Sequence, residues 1–367
     1  MRLLHLVHTP RHSGAEMLVR DLCLRHMQNG VACAIAAFDQ GTPQFAPELD
    51  LLRAAGVEIF APKRTGGRLG RLRNYVRAIR IFRPDTIFGH SLIPAAYGRV
   101  AALLVGSRAR FIKVLHSSSD DYQSPRVRVM ERLLQARTDG IVTVAPTAAN
   151  HYRRHFHSTP PIVHIANGIN LEQIREATEH RAAIRADFGL APTDRLLLQV
   201  GRIAPVKNQR LALATVIPLM QTDRSVHLWF AGVVEDASYH ERLITEIEAS
   251  GLVDRVRYLG ARSDIPGLLA AADVYLMPSV SEAHSVALLE ALASGVTIVA
   301  SDIEAFGFAR EMAGVTLIDA SNAQKFRSSV AVQASSNCRH QRNLECYDLR
   351  VAVRAYEALS GAPPSLS

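Results

Sequence analysis

The chain has only four cysteines in 367 residues, Cys23, Cys33, Cys338 and Cys346, in two widely separated pairs. That spacing holds no metal, and a chain this long does not rest on a disulfide framework, so a reducing compartment, the cytoplasm, is expected. Aromatic residues are scarce as well, at 6%. The shortage argues against an all-β sandwich and against a stacking platform for single-stranded nucleic acid. No stretch reaches the roughly 18 uninterrupted apolar residues of a membrane span. The opening MRLLHLVHTPRHSG has a short apolar run broken by histidine and reads as a first strand, not a signal peptide. HExxH, DxD and clustered-cysteine patterns are missing, and His5 and His8 would face opposite sides of a strand, so no metal is expected.

What is present is a 48% hydrophobic chain with a net charge of +8, from 42 basic and 34 acidic residues. This is the composition of a globular protein. Part of the charge is concentrated in KRTGGRLGRLRNYVRAIRIFR, residues 63–83. Leu69, Leu72, Val76 and Ile79 recur at helical spacing and are expected to face inward, leaving Arg68, Arg71, Arg73, Arg77 and Arg80 mostly on other faces. Such a helix is either an ordinary solvated face or one drawn to anionic lipid. Nucleic acid is not expected as a partner, because phosphate attraction reads no bases and no base-reading motif accompanies it.

Along the chain, short apolar strands alternate with amphipathic helices. RLLHLVH, VACAIAAF, DTIFGHS, RFIKVLHSS, GIVTVAPT and PIVHIANGIN read as strands of a first unit. After a polar segment, RLLLQVGRI, HLWFAGV, RVRYLGA, DVYLMPS, VTIVAS and VTLIDA repeat the pattern. The expected architecture is α/β, with two doubly wound parallel sheets and a hinge near residues 168–180. The domains are drawn at residues 1–170 and 171–345, with a closing helix and frayed tail over 346–367. Ligands of such sheets bind beyond the carboxyl ends of the strands, which here would face an interdomain cleft. Residues 322–344 are polar and weakly patterned.

Several residues fall where such ligands bind. Gly201 ends a strand in GRIAPVKNQ, and Arg202 and Lys207 follow; a fork and a point charge there can hold a diphosphate, or be ordinary surface cations. In SEAHSVALLEALASG the first amides of a helix starting near Ala283 to Ser285 point toward that edge, although Ser281 or Ser285 also reads as a simple cap. Glu282 and Glu290 can each accept hydroxyl hydrogen bonds. Eight residues along one helix would turn them about 80° apart, so reaching one ligand requires Glu282 to lie in the loop. In the first half, Gly14 of HSGAE lets backbone approach a ligand or simply makes a tight turn, and the GxGxxG of dinucleotide binding is absent there. His116 ends VLH, where it either fills a structural role or bonds a sugar hydroxyl.

These stretches together, GRIAPVKNQ, YLGARSDIPGLLAAADVYLMPSVSEAHSVALLEALASGVTIVASD, HSGAE, HSL, VLH and NGIN, resemble the retaining glycosyltransferases of family 4 over residues 1–320. The resemblance implies the GT-B fold, two Rossmann-like domains, and transfer from a nucleotide-activated sugar without a cofactor or essential metal. It gives Arg202 and Lys207 the donor diphosphate and Glu290 the nucleotide ribose. Glu282 and His116 go to the transferred sugar, the amides of Ser285 and Val286 to the distal phosphate, and Gly14 to phosphate and acceptor. Arg262 lies along the base, and Asn167 with Gly168 enters the interdomain region. Two departures stand out: Ala283, His284 and Ser285 replace the family's usual Gly-Phe-Gly, bringing the His284 ring near the donor, and Ser13 replaces the first of two adjacent glycines.

The implied partners are a nucleoside-diphosphate sugar, with uridine favoured over guanosine, and a saccharide or lipid-linked acceptor of cell-envelope or polysaccharide synthesis. The basic helix would bring the protein to the inner face of a membrane. The alternatives are an epimerase or phosphorylase of similar form, and a sugar-nucleotide-binding protein without catalysis.

Overall fold

The computed structural model describes residues 1–62, 67–116, 121–157, 160–335 and 338–361. Residues 63–66 of the basic stretch, Ser117 and Ser118 at the end of RFIKVLHSS, and the tail over 362–367 lie outside them. By contacts the chain divides into two units, one of Met1–Gly168 joined by the segment from Tyr347, the other of Ile169–Cys346.

The first unit opens with β1 (Arg2–Val7), α1 (Gly14–Gln28), β2 (Ala32–Ala37), α2 (Ala46–Ala54) and β3 (Glu58–Phe60). It continues through α3 (Arg68–Phe82), β4 (Thr86–His90), α4 (Leu92–Leu104), β5 (Arg110–Leu115) and α5 (Pro125–Gln135). β6 (Gly140–Thr143), α6 (Pro146–His155) and β7 (Ile162–His164) complete the run. The sheet order is β3-β2-β1-β4-β5-β6-β7, all parallel, so the strand order reverses between β1 and β4. Because side chains alternate along a strand, Leu3 and Val7 pack with Leu18, Leu22, Phe88, Ile112 and Val114 on one face. Leu4 and Leu6 pack with Tyr75, Ile79, Ile87 and Phe111 on the other. Strands buried on both sides need near-continuous apolar sequence, which is why they are legible.

The second unit begins with α7 (Leu171–Glu179) and α8 (Arg181–Asp187), then β8 (Arg195–Val200), α9 (Gln209–Thr222), β9 (Val226–Ala231) and α10 (Ala237–Ala249). There follow β10 (Val256–Tyr258), α11 (Ile265–Ala271), β11 (Val274–Met277), α12 (Val286–Ala293), β12 (Thr297–Ser301), β13 (Val315–Ile318) and α13 (Ala323–Ala334). The order β10-β9-β8-β11-β12-β13 repeats the first sheet's logic, with its reversal between β8 and β11. The polar segment before β8 docks by charge. Arg181 and Arg185 reach Asp273 and the carbonyls of Ala272 and Ala271. Finally α14 (Leu349–Leu359) returns to the first unit and packs on α1.

Two local expectations change. Leu69 is 72% exposed, because α3 packs through Tyr75, Ala78, Ile79 and Phe82 while its first turn stands clear of the sheet. The weakly patterned residues 322–344 contain α13, held by a one-residue-per-turn stripe of Phe326, Val330 and Ala334. The segment after it closes helix ends: Arg342 donates to the carbonyls of Leu292 and Val296, both at 2.9 Å, as cations do at helix C-termini.

Candidate functional site

In the second unit the loops after β8 and β11 leave from the two strands flanking the reversal, where parallel sheets bind ligands. The loop after β8 is braced from both sides. Gln199 Nε2 donates to the carbonyl of Lys207 at 2.7 Å, and Gln209 Nε2 to that of Arg202 at 2.9 Å. Asn208 takes a left-handed φ of 53°, which asparagine tolerates better than most residues, and this turn delivers Lys207 from a short 3₁₀ segment into α9. Gly232, at the end of β9, runs so close to this loop that a Cβ on it would meet the Gly201 carbonyl oxygen at 2.0 Å. Only glycine fits there.

Lys207 is buried, and its ammonium donates to Glu282 Oε1. Each side chain keeps 11% of its exposure, so the pair sits in a weakly hydrated setting where charge counts for more than at the surface. Val280 N donates to the Val206 carbonyl at 2.8 Å and holds the two loops together. Arg202, more open, pairs with Glu235 beyond β9.

Glu282 lies in the loop, and α12 starts only at Val286. Ser285 is its cap, Oγ accepting from Leu288 N at 3.3 Å. Glu290 follows within the helix. Tyr275, buried on β11, feels both acids: burial raises its hydroxyl pKa first, and the charges of Glu290 and Glu282 add to that. Its hydroxyl donates to the Val200 carbonyl at 3.2 Å, tying β11 to the end of β8. His284 lies against Phe308, with 5.7 Å between ring centroids. Arg262 donates to Asp264 through both Nε, at 2.8 Å, and Nη2. The geometry thus gathers Lys207 and Glu282 directly, and the charges of Glu282 and Glu290 both bear on Tyr275. Arg202 and Arg262 hold acidic partners of their own.

In the first unit Gly14 is the first residue of α1, behind β1. His116 directly follows β5, and its Nε2 meets His90 Nδ1 at 2.8 Å. Burial lowers its pKa to about 4, keeping the ring neutral. Asn167 is buried, and Gly168 touches the start of α14, where a Cβ would come within 2.7 Å of Leu349 Cα. Close packing thus accounts for this glycine. Among the described residues one group could gather around a cation, His5, Cys23 and Cys33, with ligand atoms within 4.8 Å. It lies in the core, where burial pushes the Cys23 thiol pKa well up, the opposite of what a thiolate ligand needs.

Sequence reading missed Glu235 and Tyr275, whose roles depend on strands becoming neighbours, and Asp264 and Gln199, which brace their own loops. One signal was available: the chain has only four lysines, Lys63, Lys113, Lys207 and Lys325, among 42 basic residues. A lysine kept at 207 in so arginine-rich a chain marks a place for a compact charge.

Comparison with known proteins agrees with the architecture of two parallel α/β sheets. The model of Glycosyltransferase Family 4 matches residues 12–173, and that of Glycosyl transferases group 1 matches 180–331. D-inositol 3-phosphate glycosyltransferase of Segniliparus rotundus is 26% identical over 227 residues, 60% of this chain and 50% of that protein. The chain spans about half the length of the relatives of this name that it matches. EpsF of Bacillus subtilis is 26% identical over 318 residues, 82% of this chain and 79% of EpsF. Among solved structures, Anabaena Alr3699/HepE in complex with UDP and glucose is 19% identical with a TM-score of 0.77, covering 99% of this chain and 100% of the other. WaaG, a glycosyltransferase involved in lipopolysaccharide biosynthesis, is 15% identical with a TM-score of 0.67, covering 98% and 100%.

Proposed function

Since the chain belongs to glycosyltransferase family 4, with the two parallel sheets of the GT-B fold, we propose that it is a retaining enzyme transferring a sugar from a uridine diphosphate donor to a hydroxyl of a saccharide or lipid-linked saccharide. The observation that carries the reading is the partly buried Lys207–Glu282 pair at the strand reversal. Lys207, with Arg202 and the amides of Ser285 and Val286, takes the diphosphate. Glu290 takes the ribose, Glu282 and His116 the transferred sugar, and Arg262 the base. The similar fold of Anabaena Alr3699/HepE, solved with UDP and glucose and with UDP-glucose, supports the choice of donor.

In the reaction the bond from the anomeric carbon to the diphosphate oxygen breaks while the bond to the acceptor oxygen forms on the same face. The acceptor's proton passes to the leaving phosphate oxygen, so atoms and charge balance without a metal. Charge grows on the diphosphate as it departs, and cations already aimed there stabilise the transition state more than the ground state.

The reading predicts that UDP-sugar, but not a nucleoside alone, protects the protein from thermal unfolding. At a hundredfold excess over Kd the stabilisation is about 2.7 kcal/mol. Glu290→Ala should remove most of it, since ribose contacts form before transfer. A donor screen that shifts no melting temperature, or an unaltered shift in the variant, would count against the assignment. Acceptor-dependent release of UDP then separates transfer from epimerisation, which needs no acceptor, and from binding alone.

The membrane part of the proposal rests on α3. Arg73, Arg77 and Arg80 are exposed, and Leu69 and Ile81 stand 72% and 53% exposed beside them. Among the described residues no helix is long and apolar enough to cross a membrane. Co-sedimentation with phosphatidylglycerol vesicles is therefore expected at low salt and should fade by 1 M, where screening acts within about 3 Å. Equal binding by the Arg73→Glu, Arg77→Glu, Arg80→Glu triple variant would remove α3 from that role.

A further inference from the structure

Three histidines climb the first sheet in single file. β1, β4 and β5 are neighbours, and His5, His90 and His116 share the parity of Phe88, Ile112 and Val114, so all lie over one face. His5 stands opposite Phe88 and His90 opposite Val114, so each next histidine is two residues nearer the carboxyl edge. His5 Nδ1 meets His90 Nε2 at 3.0 Å, and His90 Nδ1 meets His116 Nε2 at 2.8 Å. His5 and His90 are buried, and the rings meet edge to edge in nearly parallel planes, with centroids 5.2 and 5.1 Å apart.

All three rings are neutral at ordinary pH. Burial brings His5 to about 3 and His116 to about 4, and takes His90 well below its usual value. Each therefore carries one proton, and two hydrogen bonds in a row leave two self-consistent arrangements. Either every proton sits on Nδ1, with His5 donating to His90 and His90 to His116, or every proton sits on Nε2 and both bonds reverse. The inner end decides between them. His5 Nε2 is buried with no partner among the described residues, and so is His26 Nε2, whose ring lies 6.3 Å away by centroid. The reversed arrangement would strand a buried N–H at His5. The first leaves only a lone pair, in a core where the Cys33 thiol and the Cys23 thiol, whose pKa burial raises, are weak donors close by. The carboxylate of Glu357 fixes the neighbouring ring separately, bonding His26 Nδ1 at 3.0 Å.

We infer that His90 and His5 are positioning residues that hold His116 as its Nδ1–H tautomer, so that His116 offers the sugar a hydrogen-bond donor and is not the base that removes the acceptor's proton. The inference rests on the assignment of His116 to the transferred sugar made above. It agrees with the proton leaving on the phosphate oxygen, since the His116 nitrogen able to accept is already engaged by His90.

The test is spectroscopic first. In full-length protein with ¹⁵N-labelled histidine, long-range proton–nitrogen correlation at neutral pH should show His116, assigned by its loss in His116→Gln, protonated at Nδ1 and bare at Nε2. A ring protonated at Nε2, or at both nitrogens, overturns the inference whatever the variants do. Turnover follows. His90→Leu should lower kcat about tenfold, the worth of one hydrogen bond, with little change in donor KM. His90→Gln, whose amide can accept from His5 and donate to His116, should recover most of that. Equal losses in both would reduce His90 to packing. If instead His116→Ala transfers sugar at the normal rate while the tautomer is as stated, the assignment of His116 to the sugar fails and the histidine file stands.

Discussion

Lys207→Ala is expected to lower turnover by about 10²-fold, the loss that follows removal of one strong transition-state contact. The ammonium sits where water is largely excluded and already bears on Glu282. Its position is set by its own backbone, through Gln199 and the turn at Asn208, and does not have to be found during the reaction. A charge so held costs little reorganisation when the diphosphate begins to leave, so the loss should fall on kcat more than on donor KM. Lys207→Arg should not restore the rate, because a planar fork is a poor replacement for a compact ammonium in a snug place. Removing the lysine also leaves Glu282 without that partner, so Glu282→Gln and the double variant are needed to complete a cycle; coupling between the two is expected because they touch. Steady-state kinetics of UDP release decide the matter. Normal turnover in folded Lys207→Ala protein would sink both the residue's role and the reading built on it.

How much of this was legible in advance depended on what kind of interaction each feature used. The strands β8, β9, β11 and β12 are mostly apolar, buried runs because both faces of a parallel sheet are covered, and such runs survive in the sequence whatever the rest of the chain does. β3 left no trace: it has three residues at a sheet edge, beginning with the exposed Glu58. α13 keeps one apolar residue per turn, too narrow a stripe to separate from a polar loop. At the site, Lys207 and Glu282 were readable as motif residues, but not that they would bond each other, because they are brought together by β8 and β11 being adjacent. Glu235 was hidden for the same reason, reaching Arg202 from the neighbouring β9. The histidine file is a further case, since its order is the order of strands in the sheet and not of residues in the chain.

Glu131→Ala should destabilise the first unit by about 3–5 kcal/mol, the cost of leaving buried charge without its counterion. Glu131 is the sole buried residue of α5, and it is fully so. Its carboxylate accepts from Arg99 at 2.7 and 3.1 Å and from the Tyr152 hydroxyl at 3.0 Å, and pairs with Lys113 at 2.8 Å. Burial alone would raise its pKa, but Lys113 and Arg99 outweigh that and bring it down to about 2 from 4.5. Burial pulls Lys113 the other way, down to about 8. The acid side of the stability profile has a definite sign. Glu131 binds its proton less tightly folded than unfolded, so its contribution is complete above pH 4.5 and is lost as pH falls toward 2. At about 1.4 kcal/mol per unit this amounts to on the order of 3 kcal/mol, and Glu131→Gln should no longer show it. The chain's one tryptophan, Trp229, reports the second unit, so hydrogen exchange in β5 must follow the first. A triple change of Arg99→Met, Lys113→Met and Glu131→Leu should keep most of the stability that Glu131→Ala loses, because no charge is then left alone in the core. A loss under about 1 kcal/mol for Glu131→Ala would mean that water reaches the two cations and that α5 is held by something other than this carboxylate.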